Sequence, residues 1–172
     1  MDIFEDMFFT TFTIEGWIPT FKDLPEINFI ILRALTFISN EEKALILGFV
    51  IMKDHIHLIW KVKSGTIKEI VKSFKSFTSK AILKKIRLID YEYLDNFVSD
   101  RKDRKYKFWK LNSGHFKIDS HSMLCQKLNY IHNNPTVGDY KVVELPQEYS
   151  LSSACAYYQQ RSNFSFLSLV VA

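Results

Sequence analysis

Two histidines, His55 and His57, stand two residues apart in the stretch Val50-Ile-Met-Lys-Asp-His-Ile-His-Leu-Ile-Trp60. The flanks alternate as a strand does, with Ile56, Leu58, Trp60 and Val62 in one register and His55, His57, Ile59 and Lys61 in the other. Alternate residues of a strand share a face, so the two imidazoles point the same way, about 7 Å apart along the chain. The opposite face is apolar and calls for a core. Two neighbouring imidazoles hold a metal ion when a third ligand arrives from elsewhere. Taken alone, the pair is equally read as two satisfied surface histidines.

A second constellation lies near the end of a helical stretch. Tyr130 has Lys127 three residues before it and Asn134 four after, and positions three and four apart share a helix face. One face thus offers a phenol, a cation and a neutral oxygen ligand. A free tyrosine ionises near pH ~10 and is a poor nucleophile at neutral pH. It becomes useful when a metal polarises the phosphodiester it attacks. His55, His57 and Asn134 together make an uncharged set suited to a weakly held divalent ion, Mg²⁺ or Mn²⁺. The imidazoles favour Mn²⁺ or Zn²⁺ in affinity. The plainer reading of Tyr130 is an amphipathic tyrosine at a helix edge.

Certain elements must position these residues. Met7–Ile14 is Phe- and Thr-rich and reads as a first strand, broken by Glu15-Gly16-Trp17-Ile18-Pro19. Asp23–Ile38 reads as a mostly buried helix with Pro25 in its first turn. Ala44–Met52 is a second strand, and Lys53-Asp54 turns it into the histidine strand as an antiparallel hairpin. Thr66 and Glu69 have the form of a capping box opening a helix to Ala81 and beyond. Its apolar face is Ile67, Ile70, Val71 and Phe74, and its outer stripe is Lys68, Lys72 and Lys75. Asp90–Asp103 reads as a loop and Tyr106–Trp109 as a short fourth strand. Asp119 or Ser120 caps a helix to Asn133, buried through Leu124, Leu128 and Ile131 and ended by Pro135. The apolar tail from Phe164 to Val171 suits a closing strand or an interface.

Composition bounds the rest. The chain has 172 residues, enough for one domain with a sizeable core, and we expect that domain over residues 7–160, followed by a tail over 161–172. Aromatic residues are plentiful at 15%, and the net charge of +4 is unevenly spread. Between Lys61 and Arg87 the only acid is Glu69, and residues 101–110 read RKDRKYKFWK. Lys68, Lys72, Lys75, Lys105, Lys107 and Lys127 are therefore candidate phosphate contacts, with aromatics interleaved. A solvated helix face and a basic loop would look the same. Two cysteines make no disulfide framework, and no stretch has the layout of a signal peptide or a membrane span, so a cytoplasmic protein is expected.

The two constellations together carry a resemblance. Lys53-Asp54-His55-Ile56-His57-Leu58-Ile59 with Lys127-Leu128-Asn129-Tyr130-Ile131-His132-Asn133-Asn134-Pro135 resembles the single-tyrosine HUH transposases of small bacterial insertion sequences, in particular the REP-associated tyrosine transposase branch. Phe9-Thr10-Thr11-Phe12-Thr13 with Trp17, Phe74-Lys75-Ser76-Phe77-Thr78, Phe108-Trp109, and Tyr149 through Tyr158 agree with it over roughly residues 7 to 160. The resemblance implies an α+β, ferredoxin-like (RRM-like) sandwich, a mainly antiparallel sheet with helices packed on one face. It implies cleavage and rejoining of single-stranded DNA beside hairpins, with Tyr130 forming a 5′-phosphotyrosine link and His55 and His57 as metal ligands. Family members are monomers or homodimers. Asp54 stands where a small or amide residue such as Asn is expected, and relatives can use a glutamine on the tyrosine helix, whereas Asn134 is shorter and precedes a proline. His132 lies off the face of Tyr130 and reads as structural or DNA-contacting. His115 and His121 are left free to approach the site. The alternative reading is a domesticated, non-catalytic binder of hairpin or single-stranded nucleic acid, which needs only the basic helix and stacking aromatics.

Overall fold

The computed structural model describes residues 4–170; Val171 and Ala172, the end of the apolar tail, lie outside the described residues. Strands β1 (Met7–Thr13), β2 (Ala44–Ile51), β3 (His55–Val62) and β4 (Gly114–Lys117) form one antiparallel sheet in the order β2-β3-β1-β4. The β2–β3 hairpin turns at Lys53-Asp54, and Met52 N–H closes on the His55 carbonyl at 2.8 Å. Register places Thr13 opposite His55 and Thr11 opposite His57 on β1. The α+β class and the antiparallel sheet are as expected.

Between β1 and β2 the chain forms a short helix, α1 (Thr20–Asp23), a 3-10 turn (Pro25–Ile27) and α2 (Asn28–Asn40). The single helix expected over Asp23–Ile38 is thus broken at Leu24, which is extended (φ −127°, ψ 71°) because the following Pro25 disfavours helical geometry before it. Phe29 and Phe37 are exposed on the outer side of α2, so that helix is amphipathic rather than buried throughout.

After β3, α3 (Ile67–Ile89) opens on the capping box: Glu69 N–H donates to Thr66 Oγ1 and Thr66 N–H donates to Glu69 Oε2. Together α2 and α3 cover one face of the sheet, burying Phe12, Ile56, Leu58, Trp60 and Phe74. The segment from Asp90, expected as a loop, contains a 3-10 turn (Glu92–Phe97) that sends Leu94 and Phe97 into this core. Tyr106–Trp109 is not a strand. It makes single bridges, Val98 to Tyr106 and Ile14 to Trp109, because Phe108 and Trp109 turn inward to pack with Phe21 and Phe12 instead of lying along a ladder. The free edge of β1 goes to β4 instead.

The other face is covered by α4 (His121–Asn133), which Ser120 caps through its side chain. The expectation of helices on one face therefore describes α2 and α3 only. Leu124, Leu128 and Ile131 of α4 pack against Phe9, Leu47, Val50 and Ile59, since the histidine face of β3 is also apolar further along. A glycine permits the close approach. A Cβ at Gly48 would stand 2.8 Å from Leu128 Cδ2 and 3.1 Å from Ile131 Cδ1. A last helix, α5 (Ala154–Gln159), and the tail cover the edge of β2. Ser153 N–H bonds Phe49, and Ser168 N–H bonds Ile46. Among the described residues the tail makes one bridge, Ile46 to Leu167, rather than a closing strand, while Phe166 is buried against Phe49.

Candidate active site

His55 and His57 start β3 on the α4 face, with ring centroids 4.7 Å apart and each about 5% exposed. Their inner nitrogens are engaged. His55 Nδ1 donates to Asp54 Oδ1 at 2.6 Å, because a carboxylate can only accept, and the Nε2 lone pair is left for another partner. Asp54 is itself buried, and its second oxygen accepts from the Tyr140 hydroxyl at 3.1 Å. His57 Nδ1 lies 2.9 Å from Thr11 Oγ1, the threonine that strand register sets opposite it, and its ring stacks on Phe9. His57 Nε2 is buried with no hydrogen-bond partner among the described residues.

Burial, with the charges of His55 and Lys127 added, pushes the His57 pKa down from 6.5 to about 3. The ring is neutral at ordinary pH, the form in which imidazole binds metals. A buried nitrogen without a partner, beside a second imidazole oriented by a carboxylate, fits a divalent cation held by outward-facing lone pairs. Among the described residues there is no cluster of three or more His, Cys, Asp and Glu side chains placed to hold an ion.

The last turn of α4 brings Tyr130 to the pair. Its ring centroid lies 5.2 Å from that of His57 and 6.1 Å from that of Phe9, both edge-on, and the side chain is half exposed. The site is a cleft of about 860 Å³ lined by Thr11, Thr13, Trp17, both histidines and Tyr130, closed by the segment from Asn134 to Tyr140. Lys127 lies one turn back, its Nζ 4.9 Å from the centre of the Phe9 ring. Asn134 lines the cleft and donates through Nδ2 to the Tyr130 carbonyl at 3.4 Å. Gln126, one turn before Tyr130, also faces the cleft and carries a longer amide, which i, i+4 spacing alone reveals.

The remaining histidines go elsewhere. His115 pairs opposite Thr10 on β4 and so faces α3, and His121 sits at the far end of α4 beside Leu45 and Leu47. Neither approaches the pair. His132 is buried, with Nε2 2.8 Å from Ser153 Oγ, and is a structural joint between α4 and β2.

The basic stripe of α3 lies on the opposite side of the sheet from the cleft. It borders a groove of about 910 Å³ between α3 and residues 103–115. Lys68 and Lys72 are exposed there. Lys75 is not a free cation, since its ammonium donates to the carbonyls of Lys110 (2.5 Å) and Leu111 (2.9 Å), tying α3 to the passing chain. Its burial, with Lys107 nearby, lowers its pKa. Lys107 pairs with Glu15 at 2.6 Å, and Lys105 lies over the Tyr106 ring at 5.3 Å.

Comparison with known proteins adds a family. A family model described as "Transposase IS200 like" matches residues 25–134. A solved REP-associated tyrosine transposase bound to a REP hairpin superposes with a TM-score of 0.65 at 14% identity, over 100% of this chain and 96% of that one. A crystal structure of a candidate transposase from Deinococcus radiodurans aligns at a TM-score of 0.49 and 14% identity, over 74% of this chain and 88% of that one. No curated protein matches the sequence.

Proposed function

The chain belongs to the IS200-like transposase family, and from that premise we propose that it cleaves and rejoins single-stranded DNA beside hairpins through a covalent link to Tyr130. The observation that carries this reading is the half-exposed phenol edge-on to His57, whose buried Nε2 has no partner among the described residues. Tyr130 Oη attacks the scissile phosphorus and forms a P–O bond. The bond from phosphorus to the 3′ oxygen breaks, the phenol proton passes to water, and the leaving oxygen takes up a proton as a 3′-hydroxyl. The 5′-phosphotyrosine keeps the bond energy, so a second 3′-hydroxyl reverses the step without a nucleotide cofactor.

His55 and His57, with Asn134 as third ligand, would hold Mg²⁺ or Mn²⁺, which when bound supplies Lewis-acid relief of charge on the phosphate. Asp54 keeps the Nδ1–H tautomer of His55 and so its outward lone pair. Lys127 places a cation on the nucleophile's own face and favours the anionic strand. Lys68, Lys72 and Lys107, which line the groove on the α3 side, and Lys105 in the adjoining basic segment would take backbone phosphates of the hairpin, where contacts to phosphate set affinity and its salt dependence. Lys75, bound to two carbonyls, would act there by shaping the groove. The protein would work in the cytoplasm as a monomer or homodimer. No helix among the described residues is long and apolar enough to cross a membrane.

The test is a denaturing gel of the protein incubated with labelled hairpin-flanked single strands and Mn²⁺ or Mg²⁺. A protein–DNA adduct that disappears with EDTA is expected, and Tyr130→Phe should reduce it by at least ~10³-fold, since phenylalanine has no nucleophile. An undiminished adduct in Tyr130→Phe sinks the assignment. Salt-sensitive binding without any adduct would instead mark a non-cleaving binder.

A further inference from the structure

Trp17 has no part in the chemistry above, yet it lines the same cleft. Its backbone is left-handed (φ 57°), directly after Gly16 in the same region (φ 67°). A bulky residue rarely takes that conformation, and such outliers gather at functional sites. The turn is built firmly: Glu15 N–H bonds the Phe108 carbonyl at 2.8 Å, Trp17 N–H bonds the Ile14 carbonyl, and Lys110 N–H bonds the Thr13 carbonyl. What the turn achieves is to hold an indole at the mouth of the cleft, 52% exposed. The rings then form a file. Trp17 lies 6.4 Å from His55, His55 4.7 Å from His57, and His57 5.2 Å from Tyr130. Lys110 Nζ sits 4.2 Å from the indole centre.

An aromatic face beside a cation is what an unpaired nucleotide requires, a surface for its base and a charge for its phosphate. A phosphate held at the histidines and attacked by Tyr130 has its neighbouring nucleotide at the other end of the file. Resting on the proposed strand cleavage, we propose that Trp17, backed by Lys110, is the stacking platform for the unpaired base next to the scissile phosphate. The platform is tolerant of base identity, because every base presents a π face. It sets which linkage of the single strand reaches Tyr130 by fixing the adjoining nucleotide.

Trp17 reports on itself, since the other two tryptophans, Trp60 and Trp109, are buried at 0% and 4% exposure. Tryptophan emission is followed on titration with oligo(dT) and with an equally long strand of abasic units, alongside the adduct gel. The expected result is quenching by oligo(dT) but not by the abasic strand. Trp17→Leu should lose the quenching and bind oligo(dT) roughly tenfold more weakly, so that the preference over the abasic strand disappears. Trp17→Phe should restore part of that preference, which a purely structural role for the indole would not predict. Equal preference in wild type and Trp17→Leu overturns the platform. Adduct formation with no quenching also overturns it while leaving the tyrosine chemistry intact. Quenching with no adduct removes the cleavage reading and overturns the placement beside a scissile phosphate, leaving Trp17 a stacking contact for single strands.

Discussion

On the α2/α3 side of the sheet, the polar atoms of the large aromatics that reach the interior are answered. Trp60 Nε1 donates to Thr10 and Trp109 Nε1 to Thr78, each at about 3 Å, inside a cluster of Phe12, Phe74 and Phe108. On the α4 side His57 Nε2 is no less buried and has no partner. Asn28 Oδ1 and His115 Nδ1 on the α2/α3 side are also buried without a partner among the described residues, so an orphaned atom alone does not set the two sides apart; the setting of His57 does, beside a second imidazole and a phenol. An unpaired buried nitrogen costs on the order of 1–3 kcal/mol. The α2/α3 side anchors its indoles inside an aromatic core, while the α4 side gathers its open nitrogen with the other rings that line a cleft.

The comparison is sharpened by removing the largest buried side chain of the α2/α3 face. Trp60→Ala should cost about 3–5 kcal/mol, because it opens a cavity and strands Thr10. Urea unfolding measures it, and a loss below ~1 kcal/mol would mean the dry face is not the stabilising one. A smaller effect comes from His132, buried at the joint with Ser153, whose pKa burial lowers from 6.5 to about 4. The unfolded chain protonates as pH falls through 6.5, the folded chain only near 4. Stability present above pH 6.5 is therefore lost across that window, by about 3 kcal/mol. His132→Gln, which does not titrate and keeps a hydrogen-bonding group toward Ser153, should lose that much less; parallel pH profiles of the two proteins would remove His132 from the account. The smallest effect tests the open face itself. His57→Leu should abolish Mn²⁺ binding by calorimetry and change stability by less than about 1 kcal/mol, since it removes an unpaired polar atom but also the hydrogen bond between Nδ1 and Thr11. A marked destabilisation would show that His57 is satisfied after all.

Much of the frame is legible from local pattern. The hairpin, the Thr66–Glu69 box, the Ser120 cap and the buried stripe of α4 each follow from residues within a turn or two of one another. The convergence of His55, His57 and Tyr130 on one cleft follows from two such patterns read together. What local pattern misses depends on distant partners. Gly114–Lys117 becomes a strand, and Tyr106–Trp109 does not, because only the former meets the open edge of β1. That α4 crosses the histidine face depends on which side of β3 remains uncovered. Lys75 sits on an exposed stripe by spacing, but its partners are carbonyls about 35 residues away. Trp17 is aimed by two consecutive left-handed residues, and Tyr140 reaches Asp54 across 86 positions. Neither relation leaves a periodic trace.

Gly48 lies behind α4 and works as a shim under the turn that carries Tyr130, the proposed nucleophile. Leu128 and Ile131 rest on its bare backbone, and Tyr130 sits between them on the same helix. The position of the phenol in the cleft is therefore set from behind, by the thickness of one residue on an edge strand. A misplacement on the order of 1 Å can cost ~10²-fold in rate. Position 48 is thus a place where the activity of such a protein can be graded, by a methyl group at a time, without altering a single group that meets DNA.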